Sequence, residues 1–345
     1  MIHAKSSSVA SSGVKPAFFS KPRPTMSSAY LTTTVRPRLL VCLDDSPASA
    51  AVLPHAKAVA QGLGLPVTLV RVLETPHLRS PTDPIEWKLR RDRHKAHLAE
   101  LARQNPVDGE MTSILLSGPP ADELASWGRE NGATVLALAR RGSPGGHGLG
   151  STAQRLLEHG AASLLLVPPM ETPQSARYRR ILVPIDGSER SESVLPVARR
   201  IARACNAELL LVHVVPQVEI VDECRIPQLR ELRDQIDAHN KRNARTHLDS
   251  LRAKFSGDGL SVRTIVVDPG DPRALLRHIA EEQEADLIVL SSHGRTGLTE
   301  ASCGSVAEYL AIHAPMPLLL VRPNLMCRFP APSAGSTDQA GTRTL

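Results

Sequence analysis

Short runs of Leu, Ile and Val alternate along this chain with longer stretches whose apolar positions recur at helical spacing. Leu39–Leu43, Val67–Leu73, Met111–Leu116, Val135–Ala139 and Ser163–Val167 are short and almost continuously apolar. That is the pattern of strands buried on both faces. Ile181–Ile185, Leu209–Val215, Val262–Val267, Leu287–Ser291 and Leu318–Arg322 repeat the series in the same order. Between the runs, Ala48–Gln61 and Ser191–Asn206 are Ala-rich, and Pro84–Gln104 and Pro227–Phe255 are long, charged and amphipathic. These, with Ala121–Glu130 and Arg273–Glu284, are predicted helices. Buried strands alternating with helices predict an α/β fold: two tandem doubly wound parallel five-stranded sheets. Ligands in such sheets bind beyond the carboxyl ends of the strands, where strand order reverses.

The repeat is visible residue by residue. Arg38-Leu39-Leu40-Val41-Cys42-Leu43-Asp44-Asp45-Ser46 returns as Arg180-Ile181-Leu182-Val183-Pro184-Ile185-Asp186-Gly187-Ser188. Gly150-Ser151-Thr152-Ala153-Gln154 returns as Gly304-Ser305-Val306-Ala307-Glu308. A period of about 150 residues suits two whole domains and is far too long for a solenoid. The expected domains are residues 36–170 and 177–325, joined through the Pro-containing stretch Pro168–Ala176. Residues 1–35 are rich in Ser, Thr and Pro and are expected to be disordered. A transit peptide, or translation from Met26, are the other readings of that basic segment. Residues 326–345 are expected to form a loose tail. The last strand of each repeat is an edge, and an unpaired apolar edge invites pairing. The two repeats are therefore expected to pack through these strands as a pseudo-twofold dimer within one chain, with Leu166 near Leu320. A homodimer of such tandem chains remains open.

The net charge of +6 changes little, because six Lys/Arg and no acid lie in residues 1–43. The remainder balances thirty-five basic against thirty-five acidic residues. That balance, with only 3% aromatic residues, argues against nucleic acid as a partner. Five cysteines form no CxxC pair, which suits reduced thiols and a cytoplasmic location. No apolar run reaches the ~20 residues of a membrane helix.

The chemistry gathers at the glycine loops. In the second repeat the fourth strand runs into Ser291-Ser292-His293-Gly294, nine residues follow, and then Gly304-Ser305 opens a helix. Glycine admits a phosphate close to the backbone, and the N–H groups at a helix start favour an anion. The structural alternative is a capping box, Ser305-x-x-Glu308, with Gly294 and Gly297 as turn glycines. No Lys follows the glycine, so this is not a P-loop. The first repeat reads Ala139-Arg140-Arg141-Gly142, with seven residues before Gly150. Asp44, Gly150 and Ser151 are kept, and two arginines are available to compensate a phosphate.

The pattern Gly-x2-Gly-x9-Gly-Ser after the fourth strand, with an Asp ending the first, resembles the universal stress protein family. Ser292-His293-Gly294-Arg295-Thr296-Gly297-Leu298 and Gly304-Ser305-Val306-Ala307-Glu308 carry the resemblance. It covers residues 36–325 as two copies, with Ser291 where the motif's first glycine stands in ATP-binding members. The resemblance implies an ATP-binding regulatory protein of the stress response, with little or no turnover. It implies ATP, with or without Mg2+, in the second repeat. Asp186 and Pro184 would hold the adenine end and Val214 would line its pocket. Leu290 and Ser291 would approach adenine and ribose, with Gly294, Gly304, Ser305 and Val306 at the phosphates. Asp44, Gly142, Gly150 and Ser151 would form a weaker second site. It also implies an unidentified protein partner. The alternatives are a nucleotide-independent interaction scaffold and an adenine-nucleotide α-hydrolase-type enzyme. The latter would want a Ser-Gly-Gly-x-Asp-Ser loop, which Asp186-Gly187-Ser188 matches poorly.

Four further features are ambiguous. His293 could assist a phosphate or face solvent. Cys303, beside Gly304, could be a redox sensor or an inert small residue. His94 and His97 lie three apart on a predicted helix and read as exposed rather than metal-binding. Asp44-Asp45 and Glu281-Glu282 show no acid–base spacing that can be judged. No metal site and no catalytic residue is assigned.

Overall fold

The computed structural model describes residues 36–74, 83–107, 110–140, 148–160, 162–169, 176–217, 227–255, 257, 259–294 and 303–329. The expected tail 1–35, residue Gly142, residue Gly297 and residues 330–345 lie outside that set.

The first repeat contains β1 (Arg38–Cys42), α1 (Pro47–Ala50), α2 (Val52–Leu63), β2 (Val67–Leu73) and α3 (Pro84–Gln104). It continues with β3 (Met111–Ser117), α4 (Pro120–Glu130), β4 (Ala133–Ala139), α5 (Ser151–His159) and β5 (Ser163–Val167). The second follows as β6 (Arg180–Pro184), α6 (Glu189–Glu192), α7 (Leu195–Cys205), β7 (Glu208–Val214) and α8 (Pro227–Ala253). Then come β8 (Val262–Val267), α9 (Pro272–Glu282), β9 (Leu287–Ser291), α10 (Ser305–His313), β10 (Leu318–Val321) and α11 (Pro323–Met326).

Local chemistry sets the helix ends. Asp83 and Asp271 cap α3 and α9 through the backbone N–H groups of Ile85 and Arg273, each ahead of a proline at the first position. Gly64 and Asn206 close α2 and α7 in the left-handed conformation. The Ala-rich segments, expected as single helices, are each broken in two. Pro54 and Pro196 then fall in the first turn of the second piece, where a missing N–H is harmless.

Among the described residues ten strands form one sheet, ordered β3-β2-β1-β4-β5-β10-β9-β6-β7-β8. Each half has the same internal order, and its strands run parallel. The halves meet antiparallel, with Leu166, Leu165 and Leu164 of β5 opposite Leu318, Leu319 and Leu320 of β10. The two expected edges thus bury one another, and the fold is two doubly wound sheets joined as a pseudo-dimer. Alternate residues of the strands feed two cores on opposite faces. In one, α2 crosses α7 so closely that a Cβ at Gly62 would sit 2.8 Å from Ile201 Cα. His55 of α2 is buried there, its Nδ1 3.0 Å from the Tyr178 hydroxyl. In the other core lie α4, α5, α9 and α10.

Two arginines lock the pseudo-twofold. Arg140 Nη1 donates to the Ala311 carbonyl of α10 at 3.3 Å. Arg322 Nη2 donates to the Leu157 carbonyl of α5 at 2.6 Å. Leu157 and Ala311 are the same position of the two helices, seventh from Ser151 and Ser305. Both carbonyls lie in the last turn, where a cation complements the helix dipole. Arg322 is buried, and a Cβ at Gly160, whose φ is +70°, would approach its Nη1 to 2.7 Å.

After β10 comes α11, and Met326 and Phe329 pack on the core, with Arg200 over the Phe329 ring.

Candidate functional site

Both candidate sites open at the carboxyl ends of the strands, beside β4 and β9. Each begins with an aspartate turn after the first strand. Asp186 Oδ1 accepts from Ser188 N–H at 2.9 Å and from Ser188 Oγ at 2.6 Å, while Asp186 N–H donates to Ser191 Oγ at 3.2 Å. The first repeat builds the same turn from Asp44, Ser46 and Ser49. This shared turn is a structural reason for both aspartates, independent of any ligand.

The second repeat adds a cradle. Asp186 Oδ2 faces Gly294, where an ideal Cβ would come within 2.5 Å of it. Gly304 N–H donates to the Ser292 carbonyl at 2.7 Å, drawing the start of α10 against the loop after β9. A Cβ at Gly304 would lie 3.5 Å from the Ser292 carbonyl oxygen and 3.9 Å from Gly294 N, filling the space between the two glycines. Gly304 is the N-cap of α10 and makes no side-chain cap; Ser305 is the first helical residue and is exposed. The expected capping box is therefore not formed, since Ser305 stands one residue too late to serve as N-cap. Gly150 and Ser151 hold the same places at α5, again without a side-chain cap.

The two cavities differ more than the motifs do. That of the second repeat encloses about 900 Å³ and is lined by all nine residues singled out there: Pro184, Asp186, Val214, Leu290, Ser291, Gly294, Gly304, Ser305 and Val306. One end is apolar, with Val212, Val214, Leu276 and Leu290; the other is formed by the glycine loop and the start of α10. That of the first repeat encloses about 170 Å³. Asp44, Gly150 and Ser151 line it, and Gly142 lies outside the described residues. Among the described residues its lining carries the carboxylates of Asp44 and Glu74 and no Lys, Arg or His. Arg140, counted above as a possible phosphate partner, turns instead to Ala311 in the other half.

Sequence reading missed one wall of the larger cavity. Gly270, Asp271 and Arg273, from the loop after β8 and the start of α9, line it. Arg273 grips Asp271 through Nε at 3.0 Å and Nη2 at 3.0 Å, and this pairing holds the Asp271 carboxyl below its ordinary range. The signal available was the position of Gly-Asp-Pro at a strand's carboxyl end.

His293 Nδ1 lies 3.1 Å from Ser292 Oγ, and Ser291 Oγ donates to the His293 carbonyl at 2.6 Å. Cys303 also lines the cavity, but burial pushes its thiol up to about 11, against the opposing pull of Arg322. It is thus a poor thiolate. His94 and His97 sit on α3, and no group of three His, Cys, Asp or Glu gathers among the described residues. Among those residues no helix is long and apolar enough to cross a membrane.

Fold and clefts together define a tandem α/β protein of the doubly wound class, with one roomy strand-end cleft and one constricted copy of it. The chain belongs to the universal stress protein family, whose family model matches residues 36–168 and 177–322. It is 24% identical over 302 residues to universal stress protein Rv2623 of Mycobacterium tuberculosis, covering 83% of this chain and 97% of that one. Against universal stress protein MJ0577 of Methanocaldococcus jannaschii it is 27% identical over 158 residues, 43% of this chain and 97% of the other. The solved universal stress protein from Archaeoglobus fulgidus shares the fold, with TM-score 0.57 at 20% identity, covering 83% of this chain and 98% of that one.

Proposed function

We propose that this protein binds one adenine nucleotide, ATP, in the second repeat, and acts as a regulatory binding protein with little or no turnover. The observation that carries this reading is the convergence of two glycines, an uncapped helix start and an apolar strand-end pocket on one cavity of about 900 Å³. Cavities of ~300–1,000 Å³ are the size that takes a cofactor. Pro184, Val214 and Leu290 fit the faces of an adenine ring, and Asp186 is the polar group at that end. Backbone N–H groups from Ser305 and Val306, with the Ser305 hydroxyl, fit the phosphates. Mg2+, where present, would enter with the phosphates.

Binding without turnover is supported by the state of the two carboxylates among the described lining residues, Asp186 and Asp271. Asp186 is held by Ser188, and Asp271 by Arg273, which lowers its basicity. A general base needs a pKa near the working pH; the pairing with Arg273 denies Asp271 one, and Asp186 is engaged by Ser188 in its turn. The first repeat is read as a partner domain that binds nucleotide weakly or not at all, because its cavity is small and the charged groups among its described lining residues are the carboxylates of Asp44 and Glu74.

Calorimetric titration with ATP tests this reading. Wild type should bind with unit stoichiometry, and Gly304→Val should abolish binding while Gly150→Val leaves it unchanged. Equal binding by Gly304→Val and wild type would overturn it.

A further inference from the structure

We propose that the groove between α3 and the free edge of β3 is a docking site for an extended acidic peptide, which adds a strand to the sheet. Among the described residues β3 is one end of the ten-stranded sheet, with β2 as its sheet neighbour. Val67 N–H donates to the Glu110 carbonyl at 3.1 Å, and Gly118 N–H to the Leu73 carbonyl at 3.0 Å. Successive peptide groups of a strand point to opposite edges. The even-numbered residues of β3 therefore face β2, and the backbone groups of Met111, Ser113, Leu115 and Ser117 face outward.

Two of these residues, Ser113 and Leu115, together with Ile114, line a cavity of about 410 Å³ whose far wall is α3. Trp87 and Leu98 supply apolar surface, and Lys88, Arg91 and Lys95 supply a basic rim along one side of the helix. Asp92 is the single acid in that lining. The helix packs on β2 and β3 chiefly through its C-terminal half, where Leu98 is buried and Leu101 and Ala102 rest on the core, while Ile85 and Leu89 near its start are 69% and 61% exposed. A groove between a helix and a sheet edge is a recurrent way to capture an extended peptide, the edge supplying main-chain hydrogen bonds.

Charge and spacing choose the occupant. A second copy of this groove, or the basic segment 1–35, would bring like charge to Lys88, Arg91 and Lys95. Nucleic acid would want stacking platforms, and this wall offers one aromatic side chain, Trp87. Arg91 and Lys95 are four residues apart, about 6 Å along a helix. Alternate residues of an extended strand are about 6.7 Å apart. An acidic side chain at every second position of the peptide matches that rim.

The test uses the full-length protein and three probes: the peptide acetyl-Glu-Thr-Glu-Val-Glu-Thr-amide, the same peptide N-methylated at alternate backbone amides, and a single-stranded oligothymidylate. Calorimetry should show saturable binding of the first peptide and at least tenfold weaker binding of its N-methylated form. The triple variant Lys88→Glu, Arg91→Glu, Lys95→Glu, all exposed positions, should bind at least tenfold more weakly too. Hydrogen exchange should slow across Met111–Ser117 when the first peptide is bound. No saturable binding at millimolar peptide, unchanged exchange in β3, or equal or tighter binding of the oligothymidylate would each overturn the proposal.

Discussion

Replacing Gly294 with Ala probes the seam between the aspartate turn and the glycine loop. Gly294 does not have a positive φ, so only space opposes a methyl group there. The new Cβ would start 2.5 Å from Asp186 Oδ2, roughly 1 Å inside van der Waals contact. The carboxylate is not free to swing aside, because Oδ1 holds both the N–H and the Oγ of Ser188, at 2.9 and 2.6 Å. Turning it breaks at least one bond to a charged acceptor, so the substitution should destabilise the fold by about 2 kcal/mol. In an Asp186→Ala background the obstacle is gone, and the same methyl should cost less than about 0.5 kcal/mol. The predicted coupling between the two positions is therefore about 1.5 kcal/mol. Urea unfolding of the four proteins at neutral pH, compared at common slope, measures it. Equal destabilisation by Gly294→Ala in both backgrounds would refute the close approach and the role assigned to Asp186 in holding the loop.

Asp186→Ala should weaken ATP binding by roughly 1.5–3 kcal/mol, the loss of one charge-assisted hydrogen bond, whereas Asp44→Ala should leave it unchanged; equal effects by calorimetry would contradict the ranking of the repeats. The buried Arg322 should matter more to stability than Arg140: Arg322→Ala leaves the Leu157 carbonyl without its donor and should cost ~2–3 kcal/mol against ~1 kcal/mol for Arg140→Ala, and the reverse order in urea unfolding would contradict the interface. Burial pushes the His55 ring down to about 4 from 6.5, with Asp286 pulling weakly the other way. Between those values the unfolded chain binds the extra proton, so His55 should cost stability as pH falls from about 6.5 to about 4, reaching ~3 kcal/mol and levelling below. The difference between wild type and His55→Gln across that window checks it, and a difference independent of pH would refute it. Iodoacetamide should label Cys303 slowly near neutral pH, because its thiol is held up to about 11; rapid labelling there would contradict the burial.

Much of this architecture was legible along the chain because buried parallel strands declare themselves as continuous apolar runs. Leu164–Val167 and Leu318–Val321 are buried along their whole length, which is why two expected edges turned out to be partners. The residues at strand ends, Pro184, Val214 and Leu290, follow once the strands are placed, since ligand clefts of such sheets form there. What sequence could not show depends on where side chains go after folding. Arg140 looks like a phosphate partner beside its glycine loop, yet its carbonyl partner is Ala311, 171 residues away across the pseudo-twofold. Ser305-x-x-Glu308 has capping-box spacing, but the choice between Ser305 and Gly304 as N-cap is made by Gly304 N–H reaching the Ser292 carbonyl. The wall from Gly270 to Arg273 is marked in sequence only by Gly-Asp-Pro at a strand's carboxyl end, and the packing of α9 against β7 and α10 brings it to the cavity.

Native mass spectrometry of the purified full-length chain, equilibrated with excess ATP and then desalted gently, counts the nucleotides that stay bound. The large cavity and cradle of the second repeat against the constricted, carboxylate-lined cavity of the first predict one ATP per chain, lost in Gly304→Val and retained in Gly150→Val. Two nucleotides per chain, none, or a single one that survives Gly304→Val would contradict the assignment of binding to the second repeat.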